Sequence, residues 1–350
     1  YALSFSFLVV AAVLPLLSGV ADYTGKKKYF MIGFVTLGSL SCMGLFYFEG
    51  YSTLWLGITC SVLASIGYSG SLVFYDAFLP EIVSSDRFDS TSARGYSMGY
   101  YGSVIMMVCC VIMIQNYEAF GFPTEVLAVR SSFLMVGVWW LVFALISARY
   151  LPDNPYNRVP GRRIWAKGYE EVVSVWKSLD NTPQLKQYLW SFFFYNMGVQ
   201  TIMYLAALFG TDVLHLPDGD LIKTVLLIQL VGSVGAGLFA WLSKMRGNKY
   251  SLSTMILLWI AVCIAAYFIT LPVHFYILAV AVGMIMGGIQ SLSRATYSKL
   301  IPPGAIDHAS YFIFYDVTYN VSIVLGTFSF GLINQLTGSM RNSALVLAIY

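Results

Sequence analysis

Apolar runs close to the roughly 20 residues that a helix needs to cross a bilayer recur along this 350-residue chain and leave little room for anything else. Ten can be marked off, near 3–20, 30–48, 54–78, 96–114, 133–148, 189–210, 221–242, 251–270, 274–292 and 311–336, and another begins near Ser343. Inside a bilayer the backbone finds no water to bind, so runs of this length read as helices that satisfy their own N–H and C=O groups. Composition agrees: 58% of the residues are hydrophobic and 11% are charged, whereas soluble domains carry about a quarter charged residues. The expected fold class is all-α, a polytopic membrane protein.

The hairpin at 18–28, Ser-Gly-Val-Ala-Asp-Tyr-Thr-Gly-Lys-Lys-Lys, orients the rest of the chain. Gly25 supplies the sharp reversal, and Lys26, Lys27 and Lys28 mark one side. Every Lys and Arg except Arg130, Lys223 and Arg341 falls on that same side of the alternating spans, which the positive-inside rule makes cytoplasmic. The cysteines Cys42, Cys60, Cys109, Cys110 and Cys263 lie within apolar runs without metal-ligand or redox spacing, so they read as packing residues. The histidines His215, His274 and His308 sit at or outside span ends and form no cluster. No metal and no cofactor is expected. Glycine-rich runs such as 232–237 follow no strand and lack a Gly-Lys-Ser/Thr motif, so they suit close helix approach rather than nucleotide binding.

One polar segment, 150–187, interrupts the pattern after the fifth run. It opens with Pro152, Pro155 and Pro160 and continues as a predicted helix. Trp165, Tyr169, Val172, Val173 and Trp176 share one face while Lys167, Glu170, Glu171 and Lys177 turn away, the pattern of a helix lying on a membrane surface. This divides the chain into an N-terminal bundle at 1–149, a cytoplasmic linker with an amphipathic surface helix at 150–187, and a C-terminal bundle at 188–350. The two bundles are related in sequence. The register that sets Gly247 and Lys249 on Gly25 and Lys27 also sets Ser291, Ser293, Tyr297 and Pro302 on Ser69, Ser71, Tyr75 and Pro80. Such internal repeats are how transporter folds are built. On this reading the intact protein has six plus six helices, and the chain in hand is a fragment lacking the first helix and most of the last.

The hairpin and its decayed copy resemble the loop signature of the major facilitator superfamily. Five further stretches resemble one branch of it, the vacuole-effluxer-like family of fungal vacuolar amino-acid exporters and their bacterial relatives. They are Phe-Tyr-Asp-Ala-Phe-Leu-Pro-Glu at 74–81, Ser-Ala-Arg-Gly-Tyr-Ser-Met-Gly-Tyr at 92–100, Tyr-Asn-Met-Gly-Val-Gln-Thr at 195–201, Gly-Gly-Ile-Gln-Ser-Leu-Ser-Arg at 287–294 and Phe-Tyr-Asp-Val at 314–317. Ser18, Met197 and Asn320 stand where the family pattern has a glycine, an acid and a lysine. The resemblance covers nearly the whole chain and implies the major facilitator fold, two pseudo-symmetric six-helix bundles, with secondary transport and amino-acid efflux as the activity.

The residues themselves offer three sets of candidates. An aspartate at a helix C-terminus is electrostatically misplaced, because the last free carbonyls already carry partial negative charge. Asp22 therefore needs a partner from elsewhere, and the N-terminus of the tenth span is the expected one. With Lys26 and Lys27 reaching Asp76 and Glu81, and Gly25 making the turn, these residues form a candidate gating latch; the bland reading is that the lysines only fix topology. Asn196, Gln200 and Tyr204 recur at four-residue spacing on one helix face, as do Gln290 and Arg294, with Ser69 and Ser71 on the pseudo-symmetric mate. Together they are candidate substrate-binding groups for a small polar solute. Singly, each reads as a hydrogen bond between helices worth about 0.6 kcal/mol, and Arg294 as a cation snorkelling to the interface. Asp316 and Arg94 occupy equivalent positions in the two halves, one acidic and one basic. A charge within a membrane reads as functional by default, either as a proton-coupling carboxylate or as an interdomain salt bridge.

The expected function is secondary active transport by alternating access, without enzyme activity. The expected partners are the lipid bilayer, a small polar solute such as an amino acid, and protons, with no nucleic acid. A monomer in a bacterial cytoplasmic membrane is expected. A transport-inactive sensor or scaffold retaining the same fold is the alternative. An intramembrane enzyme would need a nucleophile–base pair or metal-binding acids and histidines within the spans, and the sequence presents neither.

Overall fold

The computed structural model describes residues 2–154, 156–158 and 163–349; the side chains at 2–5, 204, 207, 218 and 349 and the linker residues Pro155 and Pro160 lie outside that description. Among the described residues every element is helical. In chain order they are α1 (Ala2–Thr24), α2 (Lys27–Gly44), α3 (Leu54–Asp76), α4 (Leu79–Ile82), α5 (Phe88–Gln115), α6 (Glu125–Tyr150) and α7 (Ile164–Ser178), followed by α8 (Pro183–Leu214), α9 (Asp218–Arg246), α10 (Asn248–Phe268), α11 (Pro272–Leu300), α12 (His308–Thr337) and α13 (Met340–Val346). Nine stretches among the described residues are long and apolar enough to cross a membrane, and α8, bent by 58° between Met203 and Leu208, makes a tenth if both its parts form one span. These coincide with the ten apolar runs. Several helices overrun their run at a polar end, as α5 and α6 do from Phe88 and Glu125. Once a helix is nucleated, each added residue gains a hydrogen bond at little cost, and Thr124 caps α6 by accepting the Leu127 N–H at 3.3 Å.

The chain forms two compact units. Unit 1 holds Tyr1–Ile82, Ile105–Pro183 and Pro302–Val317; unit 2 holds Val83–Val104, Gln184–Ile301 and Thr318–Tyr350. In unit 1, Phe30 and Phe34 of α2 stack on Phe74 of α3 with ring centroids 5.7 and 6.0 Å apart, and Trp140 of α6 lies over Gly38. The linker helix α7 crosses α1 where Gly19 meets Gly168, backbone to backbone, and a Cβ on either residue would overlap the other helix. In unit 2, Gly232 and Gly235 of α9 meet Gly283, Met284 and Gly287 of α11 in the same fashion. Lipid tails are as apolar as a leucine side chain, so helices in a bilayer gain most from van der Waals contact, and small residues permit it.

Candidate functional site

The turn between α1 and α2 is built by Gly25, whose φ of +68° places it in the left-handed region that favours glycine. The Gly25 N–H donates to the Asp22 carbonyl at 3.1 Å and the Lys26 N–H to the Ala21 carbonyl at 3.0 Å, the paired bonds of a Schellman closure. This closure fixes the last turn of α1 and with it the Asp22 side chain, which is buried. One Asp22 oxygen accepts the Ala309 N–H at 3.3 Å and the other the Ser310 N–H at 2.6 Å. A carboxylate on the C-terminal turn of one helix thereby caps the N-terminal turn of another, α12, where free N–H groups and the helix dipole both favour negative charge.

Lys27 forms a buried ion pair with Glu81 of α4 and lies 5.5 Å from the Phe78 ring centroid. Lys28 pairs with Asp153 at 3.0 Å and donates to the Leu151 carbonyl at 3.1 Å. Lys26 is exposed and has no ion-pair partner among the described residues, while Asp76 is buried at the end of α3.

A linker arginine that sequence reasoning passed over is the hub of this site. Arg158 donates to the Asp22 carbonyl at 2.7 Å, pairs with Glu171 of α7 at 3.3 Å, and forms a second ion pair with Asp307 just before α12. Its own backbone is held on both sides by Asn154, which accepts the Arg158 N–H at 3.0 Å and donates to the Arg158 carbonyl at 2.9 Å. The Asn154 amide sits where a Cβ on Gly25 would be. Beside it, the Tyr156 hydroxyl and His308 Nε2 are 3.1 Å apart. Burial and the neighbouring Asp307 push the Glu171 carboxyl above its usual range, against the pull of Arg158. Burial alone would lower Arg158, but the bond to Asp307 holds it above its ordinary value. Nothing in the sequence singles out Arg158: it is one cation among several in a proline-containing linker, and the acids it serves, Glu171 and Asp307, lie 13 and 149 positions away.

Unit 2 contains a second fastening of opposite polarity. Gly247, the register partner of Gly25, also has a left-handed φ, +85°, and turns α9 into α10. Here the acid belongs to the helix being held: Asp89, in the first turn of α5, accepts from Ser243 at 3.0 Å, Asn248 at 2.9 Å and Lys299 at 2.7 Å.

Further along α5, Ser92 accepts from the Arg294 Nε at 3.0 Å and donates to the Ser291 carbonyl at 2.7 Å. The Arg294 guanidinium lies 4.8 Å from the Tyr96 ring centroid. Gln290 accepts from the Tyr100 hydroxyl at 2.7 Å. Arg294 and Gln290 are thus joined to α5.

The remaining candidates divide. Asn196 donates to the Ser322 hydroxyl at 2.5 Å. Gln200, one turn on, is buried and has no hydrogen-bond partner among the described residues. Tyr204 continues the row, but its side chain lies outside the described residues. Ser71 bonds its own helix at the Tyr68 carbonyl, 2.8 Å away, and Ser69 is buried beside it. Asp316 is buried on α12 within unit 1, and Arg94 is exposed on α5 within unit 2 with no ion pair among the described residues. A separate cavity of about 60 Å³ in unit 2 is walled by apolar groups such as Phe209, Ile228, Phe275, Val282 and Phe330. Among the described residues no group of three or more His, Cys, Asp or Glu side chains is placed to hold a metal ion.

The whole chain, residues 1–350, matches the family described as vacuole effluxer Atg22 like. It is 30% identical over 351 residues to the uncharacterized MFS-type transporter YxiO of Bacillus subtilis, covering 100% of this chain and 81% of that protein. It is 24% identical to autophagy-related protein 22 of Coccidioides immitis, across 97% of this chain and 68% of that one. Among solved structures, the human organic anion transporter MFSD10 aligns with a TM-score of 0.72 at 12% identity, over 99% of this chain and 80% of that one. The fucose:proton symporter FucP of E. coli aligns at 0.68 with 14% identity, over 99% and 92%. At these identities the structural likeness speaks for the fold alone. Residues, spans and profile agree: the chain is an integral multi-pass membrane protein with the major facilitator fold, and it belongs to the vacuole-effluxer Atg22-like family.

Proposed function

We propose that this protein moves a small polar solute, with amino acids the favoured class, out of a bacterial cytoplasm by alternating access, and that the Asp22 cluster is its cytoplasmic gate. The observation that carries the gate is the pair of backbone N–H groups at Ala309 and Ser310 bound by the Asp22 carboxylate. Capping of this kind is strong when the helix end is seated and vanishes when it moves by a few ångströms, so it suits a contact made in one state and broken in the other. The N-terminal bundle, 1–149, carries the turn, and the C-terminal bundle, 188–350, carries the helix end that the turn releases. The family description, vacuole effluxer, supports efflux as the direction of transport.

Gln200 is the first-choice solute contact, being a buried amide without a protein partner among the described residues. Asn196, Gln290 and Arg294 spend their hydrogen bonds on neighbouring helices in this state and complete the set as those helices shift. Asp316 is the proposed proton-coupling carboxylate. Reconstitution into proteoliposomes tests the reading: a mixture of amino acids loaded inside should drive counterflow of one labelled amino acid and solute-dependent proton movement. Asp316→Asn should keep counterflow while losing the proton signal. Absence of counterflow for every amino acid, in protein that still unfolds cooperatively, would sink the substrate class; accumulation by Asp316→Asn at the wild-type level would sink the coupling role.

A further inference from the structure

The linker helix α7 has three faces, and only two are accounted for. Gly168 and Val175 are buried, the first against Gly19 of α1. Lys167, Glu170, Ser174 and Lys177 are exposed on the opposite side. Between these lies a stripe of rings, Trp165, Tyr169 and Trp176, exposed by 60%, 63% and 62%. Residues four and eleven positions apart on an α-helix share a face, here about a quarter turn from the buried one.

We propose that this stripe lies in the anionic headgroup layer of the bilayer and seats α7 there as a lipid-dependent clasp on α1 and α12. Continuity with the membrane surface carries the proposal. Gly19 belongs to the span Ser6–Thr24, so a helix packed on Gly19 stands at the level of the last turns of that span. The far end of α7 rests on a second span: the Trp176 ring meets Phe314 at a tilt, with ring centroids 5.6 Å apart, and the Ser178 and Tyr311 hydroxyls are hydrogen-bonded at 3.0 Å. Tryptophan and tyrosine rings favour this depth, with an apolar body and a polar edge. Charge selects the lipid. Arg149, at the end of the span Glu125–Tyr150, and Arg163, just ahead of α7, are exposed with no ion-pair partner among the described residues, and cations at the membrane surface draw anionic headgroups.

The test places a nitroxide at Tyr169→Cys, at Trp165→Cys and, as the water-facing control, at Ser174→Cys, in full-length protein whose native cysteines have been replaced, reconstituted in nanodiscs with and without phosphatidylglycerol. Collision rates with oxygen and with a water-soluble nickel chelate report depth. The expected result is a several-fold higher oxygen-to-nickel ratio at 165 and 169 than at 174, rising further with phosphatidylglycerol. Equal ratios at all three positions would overturn the proposal, as would low collision with both reagents at 165 and 169, which would mean cover by protein. Ratios indifferent to phosphatidylglycerol would overturn the anionic preference. None of these readouts depends on transport.

Discussion

Asp22 and Ser310, 288 positions apart in sequence, are joined by a 2.6 Å hydrogen bond from the Ser310 N–H to the Asp22 carboxylate. Helix capping by a side-chain acceptor contributes about 1 kcal/mol on average and up to about 2. Asp22→Ala should therefore lower the stability of the purified protein by about 1–2 kcal/mol, with Asp22→Asn, which keeps one acceptor, losing less. Thermal unfolding measures this. Equal melting for wild type and Asp22→Ala would show that the cap carries no stability.

Arg158 serves two acids at once, so its removal leaves both Glu171 and Asp307 without their cation. Breaking a partly buried pair from one side costs more than removing both partners. Arg158→Ala is expected to destabilise more than the double variant Arg158→Ala with Asp307→Asn, with a coupling of about 1–3 kcal/mol in a double-mutant cycle. Additive effects would mean that the two side chains act independently.

Glu171 gives the site a pH dependence whose sign is determined. Burial, then Asp307, hold its folded-state pKa above the ordinary 4.5, so folding favours the protonated form. Its contribution is absent above the raised value, grows as pH falls through it, and is complete below 4.5. The melting temperature of the wild type should therefore gain on that of Glu171→Gln as the solution is acidified across that window. A flat difference, or one of the other sign, would contradict the assigned environment.

Gln200 and Asn196 lie one helical turn apart yet should behave oppositely. Asn196→Ala removes the bond to Ser322 and should cost about 0.6 kcal/mol of stability. Gln200→Ala breaks no hydrogen bond among the described residues, so its cost in stability should be confined to the lost packing of a buried side chain, while solute affinity weakens. Loss of stability in Gln200→Ala without an effect on transport would reverse their roles.

Much of the fold was legible before any coordinates. Apolar runs of membrane length announce their own helices, and an acid at the end of α1 announces that it needs a partner. Arg158, Asp89 and Asp307 were not legible, because a charged residue in a turn or linker looks the same whether it is solvated or pinned by a group far along the chain. The linker helix shows a second limit. Its amphipathic pattern draws attention to the bulky residues Trp165, Tyr169 and Trp176, whereas the face buried on α1 is marked by Gly168. Close helix contact selects for the smallest side chains, which hydrophobicity hardly registers.

The two glycine turns also fail in different ways. Removing the Asp22 side chain leaves the buried Ala309 and Ser310 N–H groups without their acceptor, whereas Asp22→Asn keeps one. Asp89→Asn turns one of the two oxygens into an NH2 group, so either Lys299 and Ser243, which share one oxygen, or Asn248 loses its acceptor. The first joint rests on a buried carboxylate meeting two backbone amides and the second on an ion pair with the more exposed Lys299, so ionic strength should loosen the α5 fastening more than the α12 fastening.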